Sequence, residues 1–233
     1  MVPHIYIIDG NIGCGKSTLL QNISNLYKND SSVVVLVEPI HIWKHFEGED
    51  LLEACLSSTA SSSDILRLQM CILMTRMEQL TTAFNSGVKV IFVERSIMTD
   101  HYCFTLNHQS TGRMSMADYV LYEYMWSQCV QQFHKMLKFV GNIPMDYPPN
   151  IHILYLKCDS SVCLQRIKTR GRPQERTVSK DYIEKLNELY DDHFNCLSNL
   201  IKNKKKEASL SIVDTGKYSA LELFERVKFF YEV

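Results

Sequence analysis

The run Gly10-Asn11-Ile12-Gly13-Cys14-Gly15-Lys16-Ser17 satisfies the pattern G-x-x-x-x-G-K-[ST], and its flanks constrain the fold more than any other part of the chain. Ile5-Tyr6-Ile7-Ile8 before it reads as a buried strand, and Thr18-Leu19-Leu20-Gln21-Asn22-Ile23 after it reads as an amphipathic helix. The run is therefore a strand-to-helix turn, the setting in which this pattern binds phosphate. The alternative, a glycine-rich turn that ends in Lys-Ser by coincidence, has to explain both flanks as accidents. Glycine lets the backbone approach a polyphosphate closely, and a helix N-terminus favours the negative charge. Residues Gly10 to Thr18 are thus candidate phosphate contacts. Lys16 is expected to reach the outer phosphates and Ser17 to hold a magnesium ion that bridges them. Cys14 allows two readings, a reactive thiol at a helix N-terminus or a small side chain tolerated in the loop.

The rest of the chain alternates strands and helices. Val33 to Val37 is a β-branched run without alternation, which predicts a strand buried on both faces of a parallel sheet. It ends at Glu38-Pro39, and the proline pushes Glu38 to extended geometry at the strand's carboxyl end, where open α/β sheets bind ligands. Ser57 to Ser63 reads as a loop, Asp64 as the N-cap of a long helix through Phe84, and Gly87 as its stop. Val88 to Val93 is a third strand, releasing Glu94-Arg95-Ser96 at its end. A second long helix is predicted over Met116 to Phe139, then a loop over Asn142 to Asn150 with three prolines and a fourth strand from Ile151 to Leu156. Asp159 is read as a helix cap. A helix from Ser179 to Asn203 runs into Lys202, Lys204, Lys205 and Lys206, a solvated basic end. A fifth strand, Ser209 to Val213, and a terminal helix, Ser219 to Tyr231, complete a doubly wound five-stranded parallel sheet flanked by helices.

At 233 residues the chain suits one α/β domain spanning 1–233. Its formal charge of −1 carries no basic footprint for nucleic acid, and no apolar run is long enough to span a membrane. The first strand starts so early that no leader is expected, and the eight cysteines form no C-x-x-C pair. Both point to a cytoplasmic chain with reduced cysteines, Cys71, Cys129, Cys158 and Cys163 being core residues.

Two further groups carry chemistry. Arg166, Arg170 and Arg172 fall within seven residues at the end of the helix after Asp159. Beside a phosphate loop they suit a lid, about residues 166–178, that closes on phosphates and stabilises transferring charge. An ordinary basic helix end is the plainer reading. Gln69 and Arg76, seven apart, share one side of the first long helix. The amide of Gln69 matches the edge of a nucleobase. A satisfied buried pair fits the spacing equally.

Taken in order, these residues resemble the deoxyribonucleoside kinase family, whose members include deoxycytidine, deoxyguanosine and mitochondrial thymidine kinases. The likeness runs from the phosphate loop to about Tyr190. It includes Gly10-Asn11-Ile12, Glu38-Pro39 with Trp43, Gln69, Arg76, Glu94-Arg95-Ser96 with Asp100 and Phe104, Arg166-x-x-x-Arg170-Gly171-Arg172 with Glu175, and Asp181 to Leu186. The resemblance implies a P-loop kinase fold with an arginine-rich lid, and ATP- and magnesium-dependent phosphorylation of a deoxyribonucleoside 5′-hydroxyl. By the same resemblance Glu38 would be the base near that hydroxyl, Arg95 would hold hydroxyl and phosphate, and Glu94 with Ser17 would organise magnesium. Gln69 would read the base, Phe104 stack on it, Trp43 line the pocket, Glu175 bind the sugar 3′-hydroxyl, and the lid arginines close on the donor. Asp214 and the residues to Tyr218 stand where relatives hold the donor base. A homodimer through the two long helices is implied as well.

The chain departs from the family pattern in two places. It has no tyrosine between Tyr27 and Tyr102 to share the sugar hydroxyl with the lid glutamate, and Leu68 stands where relatives often carry phenylalanine. Arg76 and Asp100 match the charged pair of the deoxycytidine and purine enzymes, which favours those substrates over thymidine. A nucleoside monophosphate kinase would need extra cations in the acceptor pocket, where Glu38 is unsuitable. A non-catalytic structural relative is opposed by the intact Lys16, Ser17, Glu38, Glu94 and Arg95.

Overall fold

The computed structural model describes residues 3–140, 143–144, 151–204 and 209–227. Its main sheet holds β1 (His4–Asp9), β2 (Val33–Leu36), β3 (Val90–Glu94), β4 (Ile151–Lys157) and β5 (Ser209–Asp214). The strand order is β2-β3-β1-β4-β5 and every pairing is parallel. The helices are α1 (Lys16–Leu26), α2 (Ile40–Lys44), α3 (Leu51–Leu56), α4 (Ser62–Asn85), α5 (Ile97–Thr99), α6 (Leu106–Ser110), α7 (Met116–Lys138), α8 (Ser160–Arg170), α9 (Lys180–Lys204) and α10 (Ala220–Val227). A π-helical turn, Asp100–Thr105, joins α5 to α6, and a short antiparallel ribbon pairs Phe139–Val140 with Ile143–Pro144.

Alternation along the strands explains the two helical layers. Tyr6, Ile8, Phe92, Leu154 and Leu156 point to one face, where they pack on Leu19, Leu20 and Ile23 of α1 and Ile167 of α8. Ile5, Ile91 and Val93 point to the other and meet Leu80, Ala83 and Phe84 of α4. Tyr155 packs on Leu186, Tyr190 and Phe194 of α9. Complete burial of each such side chain stabilises the fold by roughly 1.5–3 kcal/mol. The central position of β1 also creates the site. The chain leaving β1 runs to β2 on one side and the chain leaving the adjacent β3 runs to β4 on the other, so the loop after Asp9 opens at the sheet's switch point. Ile8 pairs with Glu94, which sets that loop beside the end of β3.

Several local expectations change. Val33 to Leu36 forms the edge strand, paired with β3 alone and only half-buried, because a β-branched run satisfies one covered face as well as two. The cap of α4 is Ser61, with Asp64 in the third helical position completing a reciprocal capping box, so the serine-rich stretch is already helical at Ser62. Gly87, at φ 72, follows the Ser86 C-cap. Asp159 occupies the cap position of α8 without a side-chain capping bond. The predicted loop Asn142–Asn150 lies largely outside the described residues, as do Lys205, Lys206 and the chain beyond Val227.

Candidate active site

The phosphate loop is held open by contacts from well separated parts of the chain. Gly10 and Gly13 have φ of 145° and 81°, and a Cβ there would stand 2.5 Å from the Leu156 carbonyl oxygen and 2.6 Å from that of Cys163. Only glycine lets β4 and α8 approach so closely. Asp9 accepts a bond from the Gly10 N–H at 2.8 Å and one from the Thr99 hydroxyl at 2.8 Å. Asn11 donates to the Ile183 carbonyl at 2.9 Å and to Asn187 at 2.6 Å, which fastens the loop to α9. The Lys16 ammonium donates to the Asn11 carbonyl at 2.8 Å inside the loop. Cys14 is fully buried, and burial pushes its thiol up, so the reactive-thiol reading falls. Thr18 is exposed.

At the end of β3, Ser17 donates to Glu94 Oε1 at 2.9 Å. A hydroxyl and a carboxylate side by side are hard oxygen donors of the kind magnesium prefers. Among the described residues no group of three or more His, Cys, Asp or Glu is arranged to hold a metal. The donor set therefore fits an ion that takes its remaining ligands from water and phosphate.

The next residue, Arg95, has φ 61°, a left-handed conformation that costs a non-glycine residue roughly 1–3 kcal/mol. That geometry aims its guanidinium across the sheet end. It donates to Glu38 at 2.5 Å and to the Tyr190 hydroxyl at 3.3 Å, and lies 4.8 Å from the centre of the Phe104 ring. Burial of Glu38 opposes its ionisation, but Arg95, Arg76 and Lys16 outweigh burial and hold the carboxyl down at about 2. Glu38 is thus a fixed anion at the mouth of the loop.

These groups line one cavity. Ile12, Lys16, Ser17, Glu38, Glu94 and Arg95 form its end beside the loop and β3. Trp43, Leu68, Gln69, Ile72, Asp100 and Phe104 form its far wall, and Cys55, Leu56, His108, Glu175 and Tyr182 close the side between α3, α6 and the lid. Gln69 is 2 % exposed and accepts from Thr105 at 3.2 Å. Asp100 and Phe104, four apart on the π-helical turn, share the same cavity wall.

Not every candidate reaches the cavity. Arg76 stands behind its wall, bonded to Asp100, the Glu94 carbonyl and Glu38. The polar pair on α4 thus divides, Gln69 facing in and Arg76 bracing the wall. Arg166 donates to the carbonyls of Cys14 at 3.2 Å and Thr215 at 3.0 Å, bridging the loop to the chain after β5. Asp214 is half-exposed and pairs with Lys217 at 3.3 Å. Arg170 and Arg172 line the cavity and bind Glu175, Arg170 at 2.7 Å to both carboxylate oxygens and Arg172 at 3.4 Å. The lid segment is also clasped to α3, by Gln174 to Asp50 at 2.9 Å and Thr177 to the Leu56 carbonyl at 2.8 Å.

Asp9, Thr99, Cys55 and His108 were not singled out by the sequence, Tyr190 only marked the end of the likeness, and Tyr182 and Thr215 fell in segments named for the resemblance without a role of their own. The contacts that fix Asp9 to Thr99 and Cys55 to His108 join residues far apart in the chain. Only Asp9, directly before the loop, carried a usable positional signal.

Sequence comparison places the chain among known proteins. The family model for deoxynucleoside kinase matches residues 6–228. Human mitochondrial thymidine kinase 2 is 27% identical over 188 residues, covering 81% of this chain and 63% of that protein. The chain thus spans under two thirds of that relative's length. Bovine deoxycytidine kinase is 28% identical over 197 residues, 77% of this chain and 70% of that protein. A probable deoxycytidine kinase of fowlpox virus is 28% identical over 211 residues, covering 91% and 79%. With the loop, the parallel sheet and a family match over nearly its whole length, the chain belongs to the deoxynucleoside kinase family.

Proposed function

We propose that this chain transfers the γ-phosphoryl group of ATP to the 5′-hydroxyl of a deoxyribonucleoside, giving the 5′-monophosphate and ADP. One observation carries the reading: Lys16 and Ser17 share a single cavity with Glu38, Arg95, Gln69, Asp100 and Phe104. The loop from Gly10 to Thr18 cradles the donor phosphates, with Lys16 on the outer ones. Ser17 and Glu94 would hold a magnesium ion, which would supply neutralisation of charge on the transferring group. Glu38 accepts the hydroxyl proton as the oxygen–phosphorus bond forms and the bond to ADP breaks. A carboxyl held near 2 is a weak base. That suits phosphoryl transfer, where positioning and charge stabilisation dominate. Arg95 moves between Glu38 and the incoming phosphoryl oxygens, and Arg170 and Arg172 join it when the lid engages the donor. Arg166, Thr215 and Asp214 frame the donor-base side.

Trp43 and Phe104 enclose the acceptor base, Gln69 bonds its edge, and Glu175 holds the sugar hydroxyl. The carboxylate of Asp100 accepts from the exocyclic amino group of cytosine or adenine and repels the O4 of thymine. That contact favours deoxycytidine and deoxyadenosine, and the resemblance of the Arg76–Asp100 pair to that of the deoxycytidine and purine enzymes extends the reading to purine deoxynucleosides as a class. Thymidine is the second reading, since one relative at 27% identity is named a thymidine kinase. We read residues 1–233 as one domain of a cytoplasmic homodimer. Met116, Val120 and Tyr124, one face of α7, are 61%, 58% and 62% exposed and supply an apolar surface for a second copy. All eight cysteines are free thiols, which suits a reducing compartment. Among the described residues no helix is long and apolar enough to cross a membrane.

Transfer of label from γ-labelled ATP with magnesium to the four deoxynucleosides, beside Glu38→Gln, tests the proposal. Transfer that collapses in Glu38→Gln supports it, and the rank order tests Asp100. Absence of transfer to any of the four, from folded protein that binds ATP, refutes it.

A further inference from the structure

A hydroxyl bound in a dry cavity needs two kinds of partner, an acceptor for its proton and a donor for its oxygen. Glu175 supplies only the first, and its carboxylate is already engaged by Arg170 and Arg172. On the same side of the cavity lies His108, 1% exposed, carried by α6. Its Nδ1 faces an Arg113 guanidinium nitrogen at 3.5 Å, and its Nε2 stands 4.0 Å from Cys55 Sγ. Arg113 is fixed in turn by the carbonyls of Cys55 at 2.7 Å and Ser57 at 3.2 Å.

These contacts set the tautomer. A guanidinium can only donate, so Nδ1 must accept. Burial, reinforced by Arg113, drives the imidazole down to about 3, so the ring is neutral and its single hydrogen sits on Nε2. That N–H has a thiol sulfur as its partner, a weak acceptor. The adjoining lid segment is tied to α3 by Thr177 and Gln174, which keeps Glu175 and Cys55 on one side of the cavity.

We propose that His108 Nε2–H, oriented by Arg113, donates a hydrogen bond to the sugar 3′-oxygen of the acceptor while the Glu175 carboxylate accepts one from that hydroxyl. His108 is thereby a specificity-determining residue for a 3′-hydroxyl in a chain with no tyrosine between Tyr27 and Tyr102. The inference rests on the nucleoside kinase reading above.

The test compares kcat/KM for a 2′-deoxynucleoside and its 2′,3′-dideoxy analogue in wild type, His108→Leu, His108→Gln and Tyr182→Phe, each checked for folding by its melting curve. His108→Leu should lower kcat/KM for the deoxynucleoside about tenfold, the scale of one hydrogen bond, and leave the dideoxy analogue unchanged. His108→Gln, which returns an N–H near the Nε2 position, should restore most of the discrimination. An unchanged ratio in folded His108→Leu, equal losses on both substrates, or collapse of the ratio in Tyr182→Phe alone overturns the inference while leaving the kinase reading intact. Absence of transfer to any nucleoside by wild type overturns both.

Discussion

Arg76 grips Asp100 through two nitrogens, Nε at 2.6 Å and Nη2 at 3.1 Å, and stands behind the cavity wall that Asp100 forms. Both residues are nearly inaccessible, at 2% and 3%. Removing one partner from such a pair leaves an uncompensated buried charge, at a cost of about 3–5 kcal/mol. Arg76→Met and Asp100→Leu should each lose stability on that scale in urea unfolding. The double variant should recover most of it, because two apolar side chains need no desolvated charge balanced. Additive losses would show that the ion pair is not the reason for the cost.

That pair also shows what the sequence can and cannot convey. The loop, five strands and long helices were legible because apolar runs, glycines and caps act over a few residues. Glu38 and Glu94 were legible as strand-end carboxylates. Whether Arg76 faces ligand or braces Asp100 was not legible, since residues seven apart on a helix share a side but not a depth. His108 and Tyr190 were missed because their roles arise from contacts across the fold. The edge position of β2 was missed because valine runs suit edge and centre alike.

Glu38 gives a pH signature of its own. Its folded value, about 2, lies below the ordinary 4.5 because Arg95, Arg76 and Lys16 outweigh burial. A depressed carboxyl contributes stability that is fully present above 4.5 and is lost as pH falls toward 2. The stability of wild type relative to Glu38→Gln should therefore be flat above about pH 5 and decline below it. For the same reason Glu38 should put no acid limb on the rate profile of free enzyme between about pH 5 and 7. A parallel pair of stability curves down to pH 2 would contradict the geometry around this carboxylate.

Ser17 and Glu94 should share one dependence on magnesium. Ser17 is exposed, but its hydroxyl donates to the buried Glu94, so replacing it by hydrogen should cost about 1–3 kcal/mol. Ser17→Ala should raise the magnesium concentration for half-maximal transfer about tenfold in protein that is still folded at the assay temperature. Glu94→Gln should shift magnesium dependence in the same direction. If magnesium titrations of both variants overlay wild type, the ion is held elsewhere.

The cavity encloses about 100 Å³, well short of the roughly 300–1,000 Å³ of small-molecule sites. On the proposed function a nucleoside enters only if a wall of the cavity moves, and we propose that the lid segment parts from α3. Two bonds oppose that movement, Gln174 to Asp50 and Thr177 to the Leu56 carbonyl. Asp50 also caps α3 through the Glu53 N–H at 2.8 Å, so its replacement would unravel more than the clasp. Thr177 is the cleaner position, because valine keeps its shape and removes only the donor. One exposed hydrogen bond is worth about 0.5–1.5 kcal/mol, so Thr177→Val should favour the open lid by roughly twofold to tenfold. If opening limits turnover, kcat and KM for the nucleoside should rise together, with the melting temperature almost unchanged. A fall in kcat at constant KM would mean that the clasp serves the closed, reacting state instead.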